Sequence, residues 1–232
     1  MTRVPSALAA ISSMATRPAL AELAERCERE TGLRVEIESV GGVDAAKRVA
    51  AGERFDIAWL AADAIGRLAA DGHFVAGSRV DLMRSEVWAA VPAGAARPDI
   101  GSEAAVREAV RNARTLGYST GPSGAHLARL FARWGIAEEI ALRIVQAPPG
   151  VAVGALVARG DVALGFQQRS EIAGLDGVDA LGPLPEAIQN VTVFAGAVCA
   201  ASARPDAAAS VLAFMAAPCC DDTKRRHGML PA

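Results

Sequence analysis

Aromatic side chains are scarce in this chain, at 4% of residues, with a single tyrosine. Single-stranded nucleic acid is bound by stacking bases on aromatic platforms, so the shortage speaks against that role and against a lectin. A basic excess is also missing. The 24 Lys and Arg against 26 Asp and Glu leave a formal net charge of −2, which gives a phosphate-backbone partner no electrostatic footprint. The four cysteines, Cys27, Cys199, Cys219 and Cys220, show neither zinc-site nor CxxC spacing. Cys219 and Cys220 are adjacent, too close to close an ordinary disulfide with each other, so free thiols of a reducing compartment are expected. No stretch approaches the roughly 18 consecutive apolar residues of a membrane span. No phosphate loop, nucleophile elbow or metal-ligand spacing occurs, and no cofactor is implied. The start lacks the basic, apolar and small-residue order of a secretory leader. The expected compartment is the cytoplasm as the sequence stands, or the periplasm if a leader has been removed.

What remains is a chain of 232 residues, 52% hydrophobic and rich in Ala, Val and Leu. That is enough for one large domain or two of about 100 residues. Leu8 to Ile11, with Ser6 and Ala7 leading in, reads as a buried strand ended by Ser12 and Ser13. A helical stripe follows through Leu20, Leu23 and Cys27 and stops at Gly32. Strands over 33–40, 55–60, 86–91, 115–118, 144–146, 162–166 and 191–200 alternate with helices over 43–51, 63–70, 103–113, 125–134, 153–159 and 205–216. Asp63 reads as the cap of the second of these helices and Ser102 as the cap of the third. The rhythm predicts an α/β fold of two lobes, each a mainly parallel sheet flanked by helices. Residues 1–84 with 191–232 would form lobe one and residues 85–190 lobe two. Such a double crossing is expected to put a ligand cleft at the lobe interface and to let the lobes close by a hinge.

Strand-to-helix junctions carry the chemistry. Ser12-Ser13, Gly41-Gly42 and the run Ser119-Thr120-Gly121-Pro122-Ser123-Gly124 all precede helices. The first helical N–H groups have no intrahelical partner, and the macrodipole is positive there. Glycine admits an anion to the backbone, and hydroxyls add donors. Each of these could equally be an ordinary cap.

The order of several segments makes the pattern specific. They are Ile-Ser-Ser-Met at 11–14, Glu-Ser-Val-Gly-Gly at 38–42, Phe-Asp-Ile-Ala-Trp-Leu-Ala-Ala-Asp at 55–63 and Gly-Tyr-Ser-Thr-Gly-Pro-Ser-Gly at 117–124. Gly-Phe-Gln-Gln-Arg-Ser-Glu-Ile at 165–172 and Leu-Gly-Pro-Leu-Pro at 181–185 complete the series. Together they resemble the molybdate-binding components of ABC importers, a family with the type II periplasmic-binding-protein fold. The resemblance implies a small anionic ligand, such as molybdate, tungstate or a di- or tricarboxylate, and an ABC permease as partner if the chain is exported. It implies ligand donors at Ser12, Ser13, Gly42, Ser123, Gly124, Val151 and Gln168, with Ser119 in the same loop. Neither nucleic acid nor membrane is implied as a partner. Arg17, at the start of the first helix, departs from the neutral donors of that family. A guanidinium suits bidentate capture of a carboxylate, although it could simply face solvent.

An isomerase of unsaturated polycarboxylates, of the aconitate isomerase type, is the alternative on the same fold. It would need carboxylate clamps at Arg17, Ser12 and Ser123 and a group that moves an allylic proton. His126, Glu171 and Tyr118 are the candidates. Each also has a plainer reading: His126 as an exposed or capping residue, Glu171 as the ion-pair partner of Arg169 or Arg17, and Tyr118 as core. A regulator's sensing domain is disfavoured, since no helix-turn-helix or basic segment accompanies the lobes.

Overall fold

The computed structural model describes residues 7–148 and 150–232. Along the chain run β1 (Leu8–Ser13), α1 (Arg17–Thr31), β2 (Val35–Val40), α2 (Gly42–Ala50), β3 (Ile57–Ala61) and α3 (Ala62–Ala70). Next come β4 (Val80–Pro92), α4 (Glu103–Asn112), β5 (Leu116–Tyr118), α5 (Pro122–Arg133), α6 (Ala137–Ile140), β6 (Ile144–Gln146), α7 (Val153–Ala158) and β7 (Leu164–Gln168). The chain ends with β8 (Val178–Pro183), β9 (Val191–Val198), α8 (Pro205–Ala216), α9 (Asp221–Arg226) and β10 (Leu230–Pro231). Ser6 lies outside the described residues. The fold is mixed α/β, divided into two compact units, Met1–Arg84 with Val193–Ala232 and Ser85–Thr192.

In the first unit β1 lies between β2 and β3 and is parallel to both, with Ser12 level with Ser39 and with Trp59. β9 then adds to β3 antiparallel. Strands buried on both faces read as unbroken apolar runs, as Ile57 to Leu60 does. α1 covers the sheet with Leu20, Leu23 and Cys27, spaced for one helical face and all buried. It ends at Gly32, whose φ of 73° gives the left-handed cap that releases the chain into β2.

In the second unit β5 lies between β6 and β7, parallel to both. β7 pairs antiparallel with β4, and β8 pairs antiparallel with β4 as well. α7 approaches this sheet where side chains are missing. A Cβ on Gly165 would sit 2.5 Å from a Val157 methyl, and one on Gly117 would sit 3.1 Å from a Val153 methyl.

The structure shifts several sequence readings. β4 starts at Val80, six residues before the expected position, because its first half pairs with β10. α5 starts at Pro122, not at 125. Proline's fixed φ suits a helix's first position, so Ser123 and Gly124 belong to the first turn of the helix and not to a loop. Asp63 does not cap α3: the cap is Ala61, without a side-chain bond, and Asp63 lies inside the first turn. Ser102 does cap α4, its side chain accepting from the Ala105 N–H at 3.1 Å.

Candidate functional site

The first unit gathers Ser12, Ser13 and Gly42 at the carboxyl ends of β1 and β2. Ser12 is fully buried, and its hydroxyl shares a hydrogen bond of 2.8 Å with that of Ser39. The Ser13 hydroxyl is buried and has no hydrogen-bond partner among the described residues. A Cβ on Gly42 would meet the Ser13 Cβ at 3.4 Å, so that hydroxyl-bearing side chain sits against the first residue of α2. The turn between β1 and α1 is held by Thr16, whose hydroxyl donates to the Ser13 carbonyl at 2.8 Å. No side-chain cap serves the starts of α1, α2 or α3. The Arg17 N–H at the start of α1 is already bonded to the Met14 carbonyl of the preceding 3-10 turn, whereas α2 and α3 begin with no side chain of the described residues on their first-turn N–H groups and α4 carries its own cap. Arg17 is exposed at the first position of α1. It lines a groove along the α1 and β2 faces that includes Glu28, Glu36, Glu38 and Ser39. Ser39 and Thr16 were not among the expected residues. The Ser12-to-Ser39 register, which the sequence does not display, is what pairs them.

In the second unit β5, β6 and β7 end side by side, with Tyr118 level with Gln146 and Gly117 level with Gly165. The Ser119 hydroxyl accepts from the Gly121 N–H at 3.3 Å. Ser123 is 2% exposed. A Cβ on Gly124 would lie 1.6 Å from the Ser119 carbonyl oxygen, so this glycine is required for α5 to lie on the end of β5. Val151 donates its N–H to the Pro148 carbonyl at 3.0 Å, which commits that amide to a local turn. Gln167 and Gln168 point to opposite faces of β7, as successive strand residues do. The Gln167 amide oxygen accepts from the N–H groups of Val153, at 2.6 Å, and Gly154, and so caps α7. Gln168, 2% exposed, donates to the Thr192 hydroxyl at 2.8 Å and leaves its amide oxygen buried without a partner.

The titratable candidates separate clearly. Tyr118 packs edge-on to Phe131, with centroids 6.0 Å apart, in the hydrophobic core, where burial raises its phenol pKa. His126 Nε2 donates to the Ile188 carbonyl at 2.9 Å, which tethers α5 to the turn before β9. Glu171 follows β7 in a turn of 3-10 helix, Arg169–Glu171. No ion pair reaches its carboxyl among the described residues, and burial pushes it up to about 7. The expected pairing with Arg169 or Arg17 is not formed, because Arg169 turns instead onto Trp88, 4.9 Å from the ring centroid. Among the described residues no group of three or more His, Cys, Asp and Glu could hold a metal ion. None of their helices is long and apolar enough to cross a membrane.

Residues 8–230 match the family model described as bacterial extracellular solute-binding protein. A curated relative, an aconitate isomerase from a Pseudomonas species, is 35% identical over 217 residues, covering 90% of this chain and 82% of that protein. Among solved structures, the periplasmic molybdate-binding protein of Azotobacter vinelandii aligns with a TM-score of 0.80 at 19% identity, covering 96% of this chain and 98% of that one. The tungstate-binding protein of Desulfovibrio alaskensis aligns at 0.66 and 20% identity, covering 94% and 92%. At these identities the structural likeness establishes the fold, that of the two-lobed periplasmic binding proteins.

Proposed function

Because the chain belongs to the bacterial extracellular solute-binding protein family, we propose that it binds a small anion, an oxyanion of the molybdate type or a small carboxylate, through hydroxyls and amides at uncapped helix starts. The observation that carries this reading is the buried Ser13 hydroxyl without a partner, set against the start of α2. A buried donor left unmade costs about 1–3 kcal/mol, and an anion at a helix N-terminus would satisfy it. Gly42, Ser12 and, in the second unit, Ser119, Ser123 and Gln168 are the further donors proposed. Gly124 and Val151 contribute through backbone placement. In this role the chain acts in the periplasm and passes its ligand to the permease of an ATP-driven importer. The structural neighbours named for molybdate and tungstate support an oxyanion, and the curated relative supports a carboxylate.

Calorimetric titration with molybdate, tungstate, sulfate, citrate and trans-aconitate tests it. At least one is expected to bind, and Ser13→Ala should weaken that ligand by about tenfold or more, the worth of one hydrogen bond to a charged group. No binding by any of them, or an unchanged affinity in Ser13→Ala, overturns the reading.

A second reading has one specific observation behind it. Glu171 carries a carboxyl pushed up to about 7 by burial, with no ion-pair partner among the described residues, the condition for a group that removes a proton from one carbon and returns it to another. With a relative named aconitate isomerase at 35% identity, the activity to look for is interconversion of cis- and trans-aconitate. It is followed chromatographically. Conversion that survives in Glu171→Gln would take the proton transfer away from this residue, and no conversion by the unaltered protein would leave binding alone.

A further inference from the structure

Ten arginines of the described surface each meet an acid. Arg48 bridges Glu38 and Glu53, Arg111 meets Glu139 at 3.1 Å, Arg133 meets Glu103 at 2.8 Å, and Arg26, Arg34, Arg79, Arg97, Arg159, Arg225 and Arg226 are likewise paired. Those partners are water-exposed, where a pair adds little. Arg169 is the reverse case. It is partly buried, its Nε is buried without a hydrogen-bond partner, and no acid reaches it among the described residues. Its guanidinium lies 4.9 Å from the centroid of the Trp88 ring. Trp88 is itself anchored, with its indole N–H directed to a Glu86 carboxylate oxygen at 3.4 Å.

A cation withdrawn from water without a counter-charge is costly. Stacking on an indole recovers part of that cost and fixes the plane of the guanidinium, but it satisfies none of the N–H donors. The neighbouring Gln168 leaves its amide oxygen buried and unmet, but that atom is an acceptor, so the unmet donor at this place is the Arg169 guanidinium. Both residues lie at the end of β7, beside the ends of β5 and β6. Glu171, two residues on, does not supply the missing charge: its carboxyl is raised by burial, where an adjacent guanidinium would have lowered it.

We infer that Arg169, held flat on Trp88, is the counter-charge for a carboxylate of the bound ligand and makes the second unit select a multivalent carboxylate over a tetrahedral oxyanion. A planar guanidinium presents two parallel N–H groups that match the two oxygens of a carboxylate. Neutral hydroxyls and amides, the donors of the first unit, do not make that distinction. Trp88 is a positioning residue, acting only through Arg169. The inference rests on the anion-binding reading and names its ligand class.

The test is titration of the unaltered chain, Arg169→Gln, Trp88→Leu and the double variant with trans-aconitate, citrate, molybdate and sulfate. Retention of the melting temperature within a few degrees, and of a bound oxyanion where the unaltered chain takes one, shows that the variants are folded. Arg169→Lys is carried alongside in case Arg169→Gln does not fold. Tricarboxylate affinity is expected to fall at least about thirtyfold in Arg169→Gln and at least about tenfold in Arg169→Lys, which keeps charge but loses the fork. Trp88→Leu should lose several-fold alone and nothing further in the Arg169→Gln background. A loss below tenfold in the folded Arg169→Gln protein, or in Arg169→Lys if only that variant folds, overturns the inference, as does an unaltered chain that binds only oxyanions. A chain that binds none of the four, or molybdate binding untouched by Ser13→Ala, overturns the anion-binding reading itself.

Discussion

Glu171 carries a stability consequence of its own, separate from any chemistry. Its carboxyl, ordinarily near 4.5, is pushed up to about 7 by burial. Below about pH 4.5 the group is neutral both folded and unfolded, and its contribution is fully present. Between about 4.5 and 7 the unfolded chain has released a proton that the folded chain keeps, so stability falls as pH rises through that window and levels off above it. Glutamine imitates the neutral carboxyl. Glu171→Gln is therefore expected to match the unaltered protein at about pH 4 and to be the more stable of the two at about pH 8, as read from urea melts at both. Equal stabilities at both pH values would mean that the carboxyl is hydrated. Ionised Glu171 would also oppose an anion nearby, so affinity for a carboxylate should decline above about pH 7 in the unaltered chain and stay level in Glu171→Gln. The thiols behave differently at this scale. Burial pushes Cys199 up to about 12 and raises Cys27 as well, which keeps both protonated and slow to react.

Among the elements, α5 depends most sharply on one residue. Its first turn lies directly on the Ser119 carbonyl, and the missing side chain of Gly124 provides the room. Gly124→Ala places a methyl inside that carbonyl's radius. The expected cost is about 3 kcal/mol, at the upper end of overpacking, measured as the change in urea midpoint at constant slope. Gly66, in the middle of α3 with nothing within 4 Å of where a methyl would stand, is the matched control: alanine there should gain about 0.5–1 kcal/mol from helix propensity. The contrast explains which parts of the chain were readable. α8 was legible at its own bounds, Pro205 to Ala216, because proline opens it and an apolar stripe fills it. The Ser12-Ser13 strand end was legible for similar reasons. Gln167 and Gln168 could be seen as a notable pair, but their division of labour depends on which face of β7 packs on α7. β8 and β10 escaped because a strand as short as Leu230–Pro231, or as mixed as Val178–Pro183, has no periodicity to detect. Arg169 escaped because its partner, Trp88, lies on another strand.

For the molecule as a whole, the question is whether the two units melt as one. Each has its own buried clusters, one built around Leu20, Leu23 and Leu212 and another around Val110, Leu127 and Phe131. β4 nevertheless feeds both, with Leu82 and Met83 in the first cluster and Val87, Ala89 and Val91 in the second. If one unit unfolds, the strand it releases is the strand the other needs, so a single cooperative transition is expected despite two cores. The tryptophans allow this to be checked by region. Trp59 is fully buried in the first unit, whereas Trp88 and Trp134 belong to the second. A variant keeping only Trp59 and another keeping only Trp134 should give coincident urea curves by fluorescence. A bound anion should then shift both curves together, by about 2.7 kcal/mol at one hundred times its dissociation constant. Curves that separate by more than their fitting error would show that the shared strand does not couple the cores. A ligand shift confined to the Trp134 curve would place the anion's contacts in the second unit alone.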